Sequence, residues 1–147
     1  MSFMEMAGTA VARILVIDDD RVFATLVAEA LVSAGHRVDV AADGRQGLAA
    51  VRTARFDAVV TDIIMPDQEG IETIRMIRRA EPDLPILAMS GGGLRLSLDL
   101  LQMARAIGAD DTLAKPFLPG ELVRRVAALL ARRNGTLPAA VASVVRH

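Results

Sequence analysis

At 147 residues the chain has the size of one domain, large enough to bury roughly two thirds of its unfolded surface around a single core. Hydrophobic residues make up 52% of it, yet no stretch approaches the roughly 18 uninterrupted apolar residues of a membrane span. Zero cysteines exclude a disulfide framework and any thiolate metal site, and a net charge of −1 with no Trp, no Tyr and four Phe argues against nucleic acid as a partner of this chain by itself.

Residues 1–12 place Glu5 ahead of their apolar residues and carry no cation before Arg13, the reverse of a secretory signal, so they read as a disordered lead-in to a cytoplasmic protein. From there short β-branched runs alternate with helical periodicity. Strands are expected at residues 13–18, 37–41, 57–61, 85–90 and 111–114. Between the first two, Val22/Phe23, Leu26/Val27 and Ala30/Leu31 recur every four residues and stripe a helix that Gly35 ends. Asp43 with Gln46 resembles a capping box opening a second helix that runs to Ala54. Ile71, Ile74 and Ile77 stripe a third helix, and Leu100, Leu101, Met103 and Ala104 suggest a fourth. Pro119 fits the first turn of a fifth, with Leu122, Val126, Leu129 and Leu130 facing inward and Arg124, Arg125, Arg132 and Arg133 left in water. This alternation predicts an α/β domain over residues 13–133, a parallel sheet covered on both faces, and a tail at 134–147.

In such a series the functional crevice lies outside the carboxyl ends of the strands. Asp18, Asp19 and Asp20 follow the first expected strand, Asp62 the third, Ser90 and Gly91 the fourth, and Lys115 the fifth. Lys115 stands out because it is the only lysine beside 16 arginines. A lysine delivers a compact point charge to one oxygen, where arginine would present a flat fork. Clustered carboxylates repel, so a proton or a cation must join them. Mg²⁺ suits oxygen ligands of this kind, with Asp19 and Asp62 as direct ligands and Asp18 acting through water. A carboxylate can also attack a phosphoryl group while metal and ammonium neutralise the transferring oxygens, and the Ser90 hydroxyl can hydrogen-bond one of them.

The runs Ile14-Leu15-Val16-Ile17-Asp18-Asp19-Asp20 and Asp57-Ala58-Val59-Val60-Thr61-Asp62-Ile63-Ile64-Met65-Pro66, then Gly70, Ser90-Gly91, Gly108-Ala109-Asp110-Asp111 and Lys115-Pro116-Phe117, resemble the CheY-like receiver domains of two-component response regulators. The resemblance implies a flavodoxin-like (βα)5 doubly wound sheet in strand order 2-1-3-4-5. It implies Asp62 as phospho-acceptor, a histidine kinase or histidine phosphotransfer protein as donor, a downstream protein target, and Mg²⁺ as cofactor. Asp18 and Asp19 then form the acidic pair, the Ile64 backbone carbonyl is a further metal ligand, and Ser90, Gly91 and Lys115 bind the phosphoryl group. The Lys115-Pro116 bond is expected to be cis.

The sequence departs from that pattern at Thr112, where many receivers carry an aromatic residue that changes rotamer on activation. The glycine-led stretch after Ser90 also looks long, and is expected to order on phosphorylation. A phosphohydrolase of the haloacid dehalogenase type shares the aspartyl-phosphate chemistry, but places further metal-binding acids after its lysine; here only Glu121 follows Lys115. A degenerate receiver serving as a docking or dimerisation module is the other rival, opposed by the intact set of Asp18, Asp19, Asp62, Ser90 and Lys115. The resemblance also allows a homodimer through the fourth and fifth helices. Ile64 and Gly92 bring no polar side chain that could orient an attacking water, so self-dephosphorylation is expected to be slow. A phosphoryl half-life of seconds in Mg²⁺ buffer would contradict this.

Overall fold

The computed structural model describes residues 11–63, 69–91 and 94–133. Strands β1 (Arg13–Ile17), β2 (Arg37–Ala41), β3 (Ala58–Asp62), β4 (Ile86–Ser90) and β5 (Asp111–Ala114) alternate with helices α1 (Arg21–Ser33), α2 (Gly44–Thr53), α3 (Glu69–Ala80), α4 (Leu94–Ile107) and α5 (Pro119–Arg133). The strands form one parallel sheet in the order β2-β1-β3-β4-β5, the doubly wound flavodoxin-like order. Apolar side chains of the central strands alternate between two cores. Ile14, Val16, Leu87 and Met89 pack with α1 and α5, whereas Leu15, Ile17, Val59 and Ile86 pack with α2, α3 and α4. β3 and β4 are buried throughout, while the edge strands β2 and β5 carry the polar positions.

Local chemistry sets where the helices begin and end. The Asp20 side chain accepts the Phe23 N–H at 3.1 Å and caps α1. At the other end Gly35 takes φ +100°, and the Gly35 and His36 N–H groups donate to Val32 and Leu31 carbonyls, a Schellman closure that other residues adopt at a steric cost. Asp43 caps α2 by accepting the Gln46 N–H, and Gln46 accepts the N–H of Ala42, one residue short of a true capping box. His36 is buried in the turn before β2, where its Nδ1 accepts the Ala12 N–H and burial lowers its pKa.

Three expectations shift. Asp62 is the last residue of β3 rather than the first beyond it. α4 begins at Leu94, six residues before Leu100, because the run after the glycines continues a helix that its buried Leu101 and Ala104 anchor. Arg125 and Arg133 are not simply solvated. Arg125 donates to Asp111 and to the Thr112 carbonyl, and Arg133 donates to the carbonyls of Phe56 and Asp57, so each bridges α5 to a backbone segment near its own turn of helix. The tail 134–147 lies outside the described residues. No described helix is long and apolar enough to cross a membrane.

Arg78, in the last turn of α3, ties together two loops at the opposite end of the sheet from the acidic residues. Its guanidinium donates to the carbonyls of Pro82, Leu84 and Gly108 and to Asp110, whose carboxylate also accepts the Ile86 N–H. Five donors in a fixed fork match this set, which a lysine would not. Arg78→Ala should therefore lower stability by on the order of 2–4 kcal/mol, with Arg78→Lys recovering less than half. Urea unfolding with an unchanged slope is the check, and a loss below about 1 kcal/mol would contradict the role given to Arg78.

Candidate functional site

Strand register brings the functional side chains together. Ile17 pairs with Thr61, so the next residues, Asp18 and Asp62, stand side by side across β1 and β3. Asp62 pairs with Met89 and Ser90 pairs with Ala114, which puts Ser90 and Lys115 one step further along the same edge. The Lys115 N–H donates to the Ser90 carbonyl at 2.7 Å, and the Lys115-Pro116 bond is cis.

The Lys115 ammonium lies 3.2 Å from Asp62 Oδ1 and 3.8 Å from Asp18 Oδ2. Both carboxylates are buried, at 1% exposure for Asp18 and 4% for Asp62. The second Asp18 oxygen accepts the Asp20 N–H at 2.9 Å. The oxygens facing Lys115 remain without a hydrogen-bond donor: the ammonium is near enough for an ion pair but is not aligned to donate to either. Buried, donorless carboxylate oxygens are costly. Burial pushes the Asp62 carboxyl up to about 6; Lys115 opposes that shift and Asp18 adds to it. Asp18 is likewise raised by burial, against the Asp20 N–H and Lys115.

Carboxylate oxygens of Asp18, Asp19 and Asp62 lie within 4.8 Å of one another, with Asp19 exposed. Two orphaned anionic oxygens beside an exposed third carboxylate fit a hard cation that keeps water ligands. Ile64 and Gly92 lie outside the described residues, so the expected carbonyl ligand and the loop glycines are not part of this geometry. Gly91 packs against the lysine stem: a Cβ there would come 3.3 Å from Lys115 Cδ. Gly70 abuts the backbone of Ile63 so closely that a Cβ has no room, which lets α3 start directly beside the acidic edge. The Ser90 side chain is fully buried, its Oγ 3.5 Å from the Gly91 carbonyl.

Sequence reasoning missed the aromatic neighbours of Lys115. The Phe23 ring lies under its ammonium, 3.9 Å from centroid to Nζ, and Phe117 meets Phe23 edge to face at 5.8 Å. In the sequence Phe23 reads as part of the apolar stripe of α1, and only its position as third residue of the helix hints otherwise. Around Thr112 there is a charged net: Arg105 lies 3.5 Å from its hydroxyl, and both Arg105 and Arg125 reach Asp111. A separate hollow of about 390 Å³, lined by residues of the α2 end with Glu81, Leu84 and Arg133, contains none of these groups.

A parallel sheet in this order with a carboxylate pair, a lone lysine and a buried hydroxyl at one edge defines a class, the phosphorylation-dependent signalling modules of two-component systems. Residues 14–127 match the response regulator receiver domain, and the chain belongs to that family. It is 42% identical over 120 residues to response regulator MprA of Mycolicibacterium vanbaalenii, covering 82% of this chain and 51% of that protein. To transcriptional regulatory protein QseB of Haemophilus influenzae it is 37% identical, covering 84% and 54%. The chain thus spans about half the length of the curated relatives it matches. Among solved structures, a CheY-like receiver domain protein from Methanospirillum hungatei superposes with a TM-score of 0.78 at 27% identity, covering 86% of this chain and 98% of that one. Chemotaxis protein CheY4 of Vibrio cholerae gives 0.73 at 34%, covering 82% and 99%.

Because the folded-state pKa of Asp62 lies above its ordinary value of 3.8, the fold holds the extra proton between about pH 4 and pH 6, and stability falls as pH rises through that window. Asp62→Asn removes the charge. In metal-free buffer at pH 7.5 it should raise stability by on the order of 1–3 kcal/mol, a gain that shrinks toward pH 4. A thermal midpoint that drops at pH 7.5 would contradict the electrostatic account.

Proposed function

We propose that Asp62 accepts a phosphoryl group from a histidine kinase or histidine phosphotransfer protein, and that the receiver unit comprises residues 13–133, flanked by 1–12 and 134–147. The observation that supports this best is a buried, donorless Asp62 oxygen 3.2 Å from the only lysine of the chain, with Asp18 alongside. An Asp62 oxygen attacks phosphorus, the bond from phosphorus to the donor's imidazole nitrogen breaks, and the released imidazole takes up a proton. Asp18, Asp19 and Asp62 would hold Mg²⁺, which when bound neutralises charge on the transferring oxygens. Lys115 meets one of those oxygens, and the Ser90 hydroxyl turns from the Gly91 carbonyl toward another. The phosphorylated surface then regulates a downstream protein. The name of QseB refers to transcription in that protein; here the output is proposed only as contact with a protein target.

Wild type and Asp62→Asn, each incubated with acetyl phosphate with and without Mg²⁺, are compared by intact mass. The expected result is one phosphoryl adduct on wild type, formed only with Mg²⁺, and none on the variant. Equal labelling of the two proteins would refute Asp62 as acceptor.

A further inference from the structure

Among the described residues the Lys115 ammonium has three partners, and only two of them are carboxylates. The third is the face of Phe23, and Phe23 in turn carries the edge of Phe117. Four phenylalanines are present in the chain, and two of them meet at its one lysine. Phe23 sits on α1 and Phe117 on the segment between β5 and α5. Together with Leu26, Val27, Ala30 and Leu122 they line an apolar groove of about 340 Å³ between the two helices. The route through an aromatic residue on β5 is closed, since that position is Thr112 and Arg105 and Arg125 pin its strand.

We infer that Phe23 is a positioning residue for Lys115, and that the Phe23 ring and a phosphoryl group on Asp62 compete for the one ammonium, so that phosphorylation is relayed to the α1–α5 groove. The inference rests on the reading of Asp62 as phospho-acceptor. A lysine stem with four rotatable bonds is poorly defined by an ion pair that is not aligned for hydrogen bonding. The ring face and the Gly91 surface against its stem leave it fewer rotamers. Once phosphorylated, Asp62 presents strong acceptor oxygens carrying close to two charges, which attract an ammonium more strongly than an aromatic quadrupole does. As the ammonium moves to those oxygens, the Phe23 ring loses its cation and the edge-to-face pair repacks, reshaping the groove wall that both rings form.

The single lysine makes the test direct. With ¹³C-lysine labelling, the ε-methylene gives one NMR resonance, expected upfield from the Phe23 ring current. Phe23→Leu should abolish that upfield shift and Phe23→Tyr should keep it, with circular dichroism showing that both variants are folded. Mg²⁺ and beryllofluoride added to wild type should move the resonance back downfield. In acetyl phosphate labelling followed by intact mass, Phe23→Leu should react roughly three- to thirty-fold more slowly than wild type, and Phe23→Tyr close to the wild-type rate. A wild-type resonance without an upfield shift, one unchanged by Phe23→Leu or by beryllofluoride, or equal labelling rates for wild type and Phe23→Leu would each overturn the role of Phe23. An absence of any adduct on wild type would instead sink the acceptor reading of Asp62, and the competition with it.

Discussion

Two carboxylates that the fold buries side by side, and one ammonium that only partly compensates them, are the constraint on which the rest of this structure depends. Asp18 and Asp62 are adjacent because β1 and β3 are neighbours in parallel register, and they are buried because both strands run through the middle of the sheet. Water would solvate them at little cost; the interior does not. The result is a site that is electrostatically unsatisfied as it stands, with both carboxyl groups pushed above their ordinary range. That tension suits chemistry in which a cation and a phosphoryl group join the site.

The stability that this tension removes is supplied elsewhere. Two apolar cores sandwich the sheet, and the end opposite the site is fastened by Arg78 and Arg133, whose guanidinium groups satisfy backbone carbonyls of the loops there. The division is spatial: rigid closure at the amino ends of the strands, unsatisfied charge at their carboxyl ends. In the second of those regions Lys115, after β5, is in contact with side chains on two other elements, Asp62 on β3 and Phe23 on α1. A charge change at one must be felt by the helix that carries another.

Thr112 stands where the resemblance leads one to expect an aromatic residue. Where an aromatic rotamer would link the site to the face formed by α4, β5 and α5, the structure has Arg105 and Arg125 converging on Asp111 and Thr112. An ionic net of partly exposed groups holds strand and helices together, and its strength is subject to screening. Aromatic packing beside Lys115 lies instead on the other face of the sheet, against α1 and α5.

Much of the architecture was legible because it depends on local rules. Apolar runs bounded by turn residues marked the strands, a four-residue stripe marked α1, and Gly35 marked its end for a steric reason that acts within one turn. The carboxylates, Ser90 and Lys115 were legible as a set because in an alternating α/β chain every strand end points to the same edge. Other features were decided by distance in space. That Asp18 Oδ2 and Asp62 Oδ1 are left without donors follows from register and burial, which no spacing encodes. Arg125 reads as surface charge because the carboxylate and carbonyl it binds are brought to it by another segment of the chain. Phe23 reads as one more apolar residue on a helix, and becomes a cation's partner only when α1 packs beside the end of β5. Sequence by itself determined which elements form and which residues stand at their ends, since propensity, capping and periodicity act over a few residues. Only the tertiary structure decided what each charge and ring meets, because those partners lie tens of residues apart and are joined by packing alone.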